Sequence, residues 1–208
     1  MRKKNKFFFG LSFFLFSFVF LTNLLFASQN ILLISGHTDI KNSIANKTII
    51  ENLKKEFENL EVSSLCELYP DYKIDVKAEQ EKLKKADIII VQFPFFWYNA
   101  PSILRKYFED VLTHGFAFGK NGKSLKNKKF IVSFTIGGQE KAYTKKGTQN
   151  FEIKEFMPSF QQLANMCNMK WSGFIYSTGY LFTADNDTKI KIAQKHSQDL
   201  IKKITKLK

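Results

Sequence analysis

Short β-branched runs alternate along this chain with longer segments whose apolar residues recur every three or four positions. Ile31-Leu32-Leu33-Ile34 opens the series and reads as a buried strand. Ser43 is placed to cap a helix carrying Ala45, Ile49, Leu53 and Phe57 on one stripe. A second strand is predicted over residues 61–68, and a polar helix over 76–85. Asp87-Ile88-Ile89-Ile90-Val91-Gln92 is the third strand, uncharged after its aspartate. Pro101 suits the start of the next helix, whose stripe is Ile103, Leu104, Tyr107, Phe108, Val111 and Leu112, with Gly115 fit for a left-handed position beyond its end. Residues 130–135 make a fourth strand, a helix covers 158–169, and 171–176 form a fifth strand. A basic helix over 187–207 closes the chain with Ile190, Ala193, Ser197, Ile201 and Ile204 on its apolar face, which leaves His196 on the surface. Such alternation predicts an α/β fold, doubly wound, with five parallel strands ordered 2-1-3-4-5 in a single domain over residues 31–208.

Residues 1–30 break the pattern. Arg2, Lys3, Lys4 and Lys6 precede an apolar run from Phe7 to Phe26, which holds nine of the protein's 23 phenylalanines. No formal charge follows Lys6 until Asp39. This is the layout of a signal peptide, with Ala27 as a weak cleavage position, or of an uncleaved amino-terminal membrane anchor. Either would export the domain or tether it to the inner membrane, positive end inward. The alternative is a cytoplasmic protein with an apolar patch.

The formal net charge of the 208 residues is +13, which fits a lysine-rich solvated surface or an anionic partner. No nucleic-acid-binding module is recognisable, so nucleic acid is excluded as the partner. Cys66 and Cys167 are the only cysteines and belong to no metal or disulfide pattern, so both read as small core residues, and no metal is expected.

Three loops follow predicted strands, on the edge where doubly wound sheets bind ligands. The first, residues 35–46, contains Gly36, His37 and Ser43 and ends at a helix amino terminus, which suits a phosphate. The second, Pro94-Phe95-Phe96-Trp97-Tyr98-Asn99, is aromatic and suits a flat conjugated ligand. The third, Thr135-Ile136-Gly137-Gly138, lets the main chain approach a planar ring closely.

Several separated motifs also resemble one family. Pro94 to Tyr98 is similar to its P-x-x-W-Y loop, and Thr113-His114-Gly115-Phe116-Ala117-Phe118-Gly119 to the turn closing its next helix. Leu68-Tyr69-Pro70-Asp71-Tyr72-Lys73-Ile74-Asp75 with Ala78-Glu79-Gln80-Glu81 resembles a further block. The chain thus resembles the flavodoxin-like NAD(P)H:quinone oxidoreductases, in particular the KefF-type quinone reductases that accompany potassium efflux. The resemblance implies FMN, with FAD the alternative, and NAD(P)H as electron donor. It places His37, Ser43, Ile44, Ala45 and Asn46 on the flavin phosphate and ribityl chain, and Phe95, Phe96, Trp97, Tyr98, Thr135, Ile136, Gly137 and Gly138 around the ring. Tyr143 stands where the family has a tyrosine that assists hydride transfer, but Gln149 replaces the family's histidine six residues on and cannot shuttle a proton. Phe96 replaces a position often polar in the KefF type. A homodimer and a quinone or similar two-electron acceptor are implied, with ping-pong turnover. The alternatives are a regulatory subunit docked on a potassium-efflux transporter and an exported protein reduced by a membrane donor.

Overall fold

Five parallel strands build one sheet: β1 (Ile31–Ser35), β2 (Leu60–Ser64), β3 (Ile88–Pro94), β4 (Lys129–Thr135) and β5 (Lys170–Ser177). Their order is 2-1-3-4-5, as the alternation predicts. The crossovers carry α1 (Ile44–Glu56), the single turn α2 (Leu65–Leu68), α3 (Val76–Lys85), α4 (Ser102–Val111) and α5 (Pro158–Met166), and α6 (Asn186–Thr205) follows β5. The computed structural model describes residues 29–182 and 185–207. The signal-or-anchor expectation therefore falls almost wholly outside the described residues. Among the described residues, no helix is long and apolar enough to cross a membrane.

All seven residues of β3 are buried because the strand is central and covered on both faces. On one face Ile31, Leu33, Ile88, Ile90 and Ile131 meet Ile49 and Leu53 of α1 and Ala193 and Leu200 of α6. On the other, Ile89, Val91, Phe93 and Phe134 join Leu83, Leu104, Tyr107 and Phe160 from α3, α4 and α5. Each such aliphatic side chain contributes about 1.5–3 kcal/mol by leaving water.

Three expectations need correction. The second strand stops at Ser64 rather than 68, because β2 is an edge strand and its sole partner, β1, ends at Ser35 opposite Ser64. The helix predicted over 158–169 ends at Met166, because Asn168 takes a left-handed conformation (φ 57°) that turns Met169 into the core. His196 is not on the surface but 2% exposed. It lies three residues after the buried Ala193, so it shares the apolar stripe of α6.

The block around Tyr69 and Glu79 resolves into a structural lock. The Glu79 carboxylate is fully buried and accepts from Ser63 Oγ (2.9 Å), Tyr69 OH (2.8 Å) and Lys82 Nζ (2.6 Å). This ties α3 to β2 and to the turn after α2.

Candidate cofactor site

Ser35, Pro94, Thr135 and Ser177 end four of the strands at one edge of the sheet, so the loops that follow them gather there. They enclose a cleft of about 340 Å³, within the roughly 300–1,000 Å³ usual for small-molecule sites.

One end of the cleft is built for an anion. Gly36 N donates to Gln92 O across the sheet, and an added Cβ at Gly36 would lie 2.8 Å from Leu104 Cβ, so glycine lets the loop pass this close to α4. His37 follows and its Nδ1 accepts from Asp39 N at 3.0 Å, which leaves Nε2 as the donor of the neutral ring. Burial holds this imidazole below its ordinary pKa, against an opposing pull from the Asp39 carboxylate. Ser43 caps α1 by accepting from Asn46 N at 3.2 Å. Ile44 and Ala45 line the cleft at that amino terminus, where amide hydrogens have no intrahelical partner and the helix dipole favours negative charge. No acidic residue stands in the first turn, and Lys189 of α6 lines the same end.

The floor is a neutral polar network. Asn46 is 2% exposed; its Nδ2 donates to Thr135 Oγ1 (3.0 Å) and its Oδ1 accepts from Gln92 Nε2 (2.7 Å). One asparagine thus joins the first loop to β3 and β4. Ser35 Oγ and Gln92 Oε1 are buried without a hydrogen-bond partner in the same layer.

The other end is flat and apolar, walled by Pro94, Phe95, Phe96, Ile136 and Gly137. A Cβ at Gly137 would meet Leu181 Cγ at 2.5 Å, so a side chain here would crowd the cleft wall.

The cleft therefore brings together His37, Ser43, Ile44, Ala45, Asn46, Phe95, Phe96, Thr135, Ile136 and Gly137, ten of the residues that the resemblance marks in the three loops. Four predicted residues lie elsewhere. Trp97 is 93% exposed and Tyr98 47%, at the tip of a tight turn closed by Asn99 N donating to Phe96 O. Both have positive φ (49° and 62°), a conformation that costs non-glycine residues on the order of 1–3 kcal/mol and clusters at ligand sites. Gly138 does not line the cleft, and Tyr143 packs beside it: a Cβ on Gly138 would lie 3.3 Å from the Tyr143 ring. Tyr143 instead borders a neighbouring hollow with Phe174 and Tyr176. Burial and the nearby Tyr98 hydroxyl raise its phenol pKa, so it stays protonated. Phe156 collects this side of the site, stacking on Tyr98 (5.7 Å between centroids) and meeting Phe95 and Tyr143 edge-on.

Sequence reasoning missed Asn42, Tyr180, Leu181, Lys189 and Phe156. Tyr180 and Leu181 reach the cleft through backbone bonds: Gly179 N donates to Gly138 O (2.7 Å) and Leu181 N to Gly137 O (2.9 Å). The placement of Gly179 and Tyr180 just after the fifth strand was the available signal.

This fold and site define a flavodoxin-like protein: the chain belongs to the flavodoxin-like fold family, whose model matches residues 29–203. Among its relatives is the NAD(P)H oxidoreductase YrkL of Bacillus subtilis, 35% identical over 76% of this chain and 90% of that one. Another is the glutathione-regulated potassium-efflux system ancillary protein KefF of Salmonella enteritidis, 37% identical over 82% of this chain and 95% of that one. A solved structure of general stress protein 14 from Treponema denticola in complex with FMN superposes with a TM-score of 0.78 at 26% identity, covering 86% and 99% of the two chains.

Proposed function

We propose that the protein is an FMN-dependent NAD(P)H oxidoreductase that passes two electrons to a quinone or similar small electrophile in ping-pong turnover. The observation that carries this reading is the two-ended cleft. A helix amino terminus with His37, Ser43 and Lys189 stands opposite a flat wall of Phe95, Phe96 and Gly137. That donor set suits a phosphate, and the wall suits a conjugated ring, so the residues present fit FMN. The FMN bound by a relative and the names of the others support the same reading.

When bound, FMN supplies reversible hydride acceptance and donation. The chain's own residues bind, orient and exclude water. Ser43, the first amides of α1 and Lys189 hold the phosphate. His37 donates through Nε2, and Asn46 keeps the first loop registered against β4. Tyr98, Phe156 and Phe151, which meets Phe156 edge-on, offer an apolar approach for nicotinamide and acceptor, and Tyr143, protonated at neutral pH, donates to an acceptor oxygen. Gln149 stands where the family has its histidine and holds no titratable proton. Residues 31–208 carry the activity, and the apolar run before them serves export or anchoring, with a cytoplasmic protein as the alternative; amino-terminal sequencing of the protein from its host decides whether that run is removed. The exposed aromatics beside the cleft fit the homodimer that the family resemblance implies, which sedimentation at increasing concentration tests.

The decisive experiment is spectroscopic. The purified chain should bind one FMN, and anaerobic NADPH or NADH should bleach the flavin band, which a quinone then restores. A protein that binds neither FMN nor FAD overturns the reading. A second reading, an ancillary subunit of a potassium-efflux transporter, is favoured by the match to KefF. Co-purification with such a transporter and altered efflux on deletion would support it.

A further inference from the structure

A buried chain of hydrogen bonds runs from the middle of the sheet to the cleft. Ser133 Oγ on β4 lies 2.7 Å from His196 Nε2, His196 Nδ1 lies 2.8 Å from Ser177 Oγ, and Ser177 Oγ lies 2.8 Å from Tyr180 OH. Ser133 is fully buried and His196 nearly so, whereas Tyr180 lines the cleft. None of the motifs along the chain accounts for this arrangement.

The chain has a direction. A neutral imidazole donates from one nitrogen and accepts at the other. If Ser133 donates to Nε2, then Nδ1–H donates to Ser177, Ser177 donates to the Tyr180 oxygen, and every buried group is satisfied. The phenolic hydrogen of Tyr180 is then left over for a ligand. In the reverse direction Tyr180 donates inward, and the spare hydrogen is that of Ser133, which makes no other hydrogen bond among the described residues and sits where an unmet hydroxyl is costly. Gln92 Oε1, in the same row of the sheet, has no hydrogen-bond partner among the described residues and so does not take up that hydrogen. The satisfied direction ends in the cleft.

We propose that Tyr180 contacts the cofactor as a hydrogen-bond donor, and that Ser177 and His196 are positioning residues that set the direction of its hydroxyl. The inference rests on the flavin reading above. The backbone bonds from Gly179 and Leu181 to the Gly137–Gly138 loop fix the phenol against the same wall.

The test titrates FMN into the full-length apoprotein and reads flavin fluorescence quenching and the visible spectrum of the bound flavin. Tyr180→Phe should weaken FMN binding roughly 5- to 20-fold, the equilibrium effect of one hydrogen bond, and should shift the bound flavin's absorption band. Ser177→Ala should do the same, Ser177→Thr should restore wild-type binding by keeping the hydroxyl, and the Tyr180→Phe/Ser177→Ala pair should be no worse than either alone. Unchanged binding and spectrum in Tyr180→Phe, which removes one oxygen atom and leaves the ring in place, would overturn the contact. Multiplicative effects in the pair would overturn the positioning role. A wild-type apoprotein that binds no flavin would overturn the flavin reading itself, a result distinct from the other two.

Discussion

Among the described residues, two of the buried polar networks differ in charge and place. The Glu79 network is ionic and lies under α3 at the β2 edge, with three donors meeting one carboxylate. The Asn46–Gln92–Thr135 network is neutral, lies beneath the cleft, and shares its layer with two unpartnered atoms, Ser35 Oγ and Gln92 Oε1. The His196 chain lies in the same face of the sheet and ends at the cleft wall. An ionic network with three donors on one buried carboxylate serves the fold, because taking away any partner leaves a costly group behind. A neutral network that opens at one end can hold a ligand's polar atoms without burying a charge. The difference separates residues that make the domain from residues that make the site, although both are equally hidden from solvent.

The largest effect should come from the ionic network. Glu79→Leu should destabilise the domain by roughly 3–5 kcal/mol, because Ser63, Tyr69 and Lys82 lose their shared acceptor. Urea unfolding would show this, while FMN affinity of the folded fraction stays unchanged. A large loss of affinity at unaltered stability would erase the distinction drawn between the two regions.

The next effect is pH-dependent. Burial lowers the His196 pKa from 6.5 to about 4, only weakly opposed by Asp199 one turn along α6. The unfolded chain therefore binds this proton more tightly than the folded one. Stability from the neutral ring is complete above about pH 6.5, falls as the pH drops towards 4, and is fully lost below that. The loss is roughly 3 kcal/mol by linkage. Urea midpoints of wild type and His196→Gln should converge between pH 7 and pH 4, since the variant lacks the titrating group. Parallel curves would mean that His196 is not buried neutral.

The smallest effect falls outside both networks. Tyr143→Phe should slow quinone reduction about 10- to 150-fold, the value of one transition-state hydrogen bond of roughly 1.5–3 kcal/mol. Flavin content and urea midpoint should not change. An unaltered rate would assign Tyr143 to the packing around Phe156 alone.

Much of this was written in local pattern. The β-branched runs, the Ser43 cap and the periodic stripes marked the strand–helix alternation and the edge where loops gather, most plainly in β1, β3 and β4, because burial on both faces of a parallel sheet leaves an unbroken apolar signature. Helix amino terminus, aromatic loop and paired glycines each announced their chemistry one by one, and ten of the residues that the family resemblance marks in those loops line one cleft. The extent of β2 was not legible, since an edge strand ends where its neighbour ends. Nor was the role of the Trp97–Tyr98 turn, whose positive φ angles depend on closure between Phe96 and Asn99. His196 reads as one more polar residue on a basic helix until α6 is laid against β4 and β5, where Ser133 and Ser177 meet its two nitrogens. Residues 63 apart along the chain carry no mutual signal in sequence. Strand periods are set by each residue's own surroundings and so can be read locally, whereas a hydrogen-bond chain across elements exists only once packing has brought its members together.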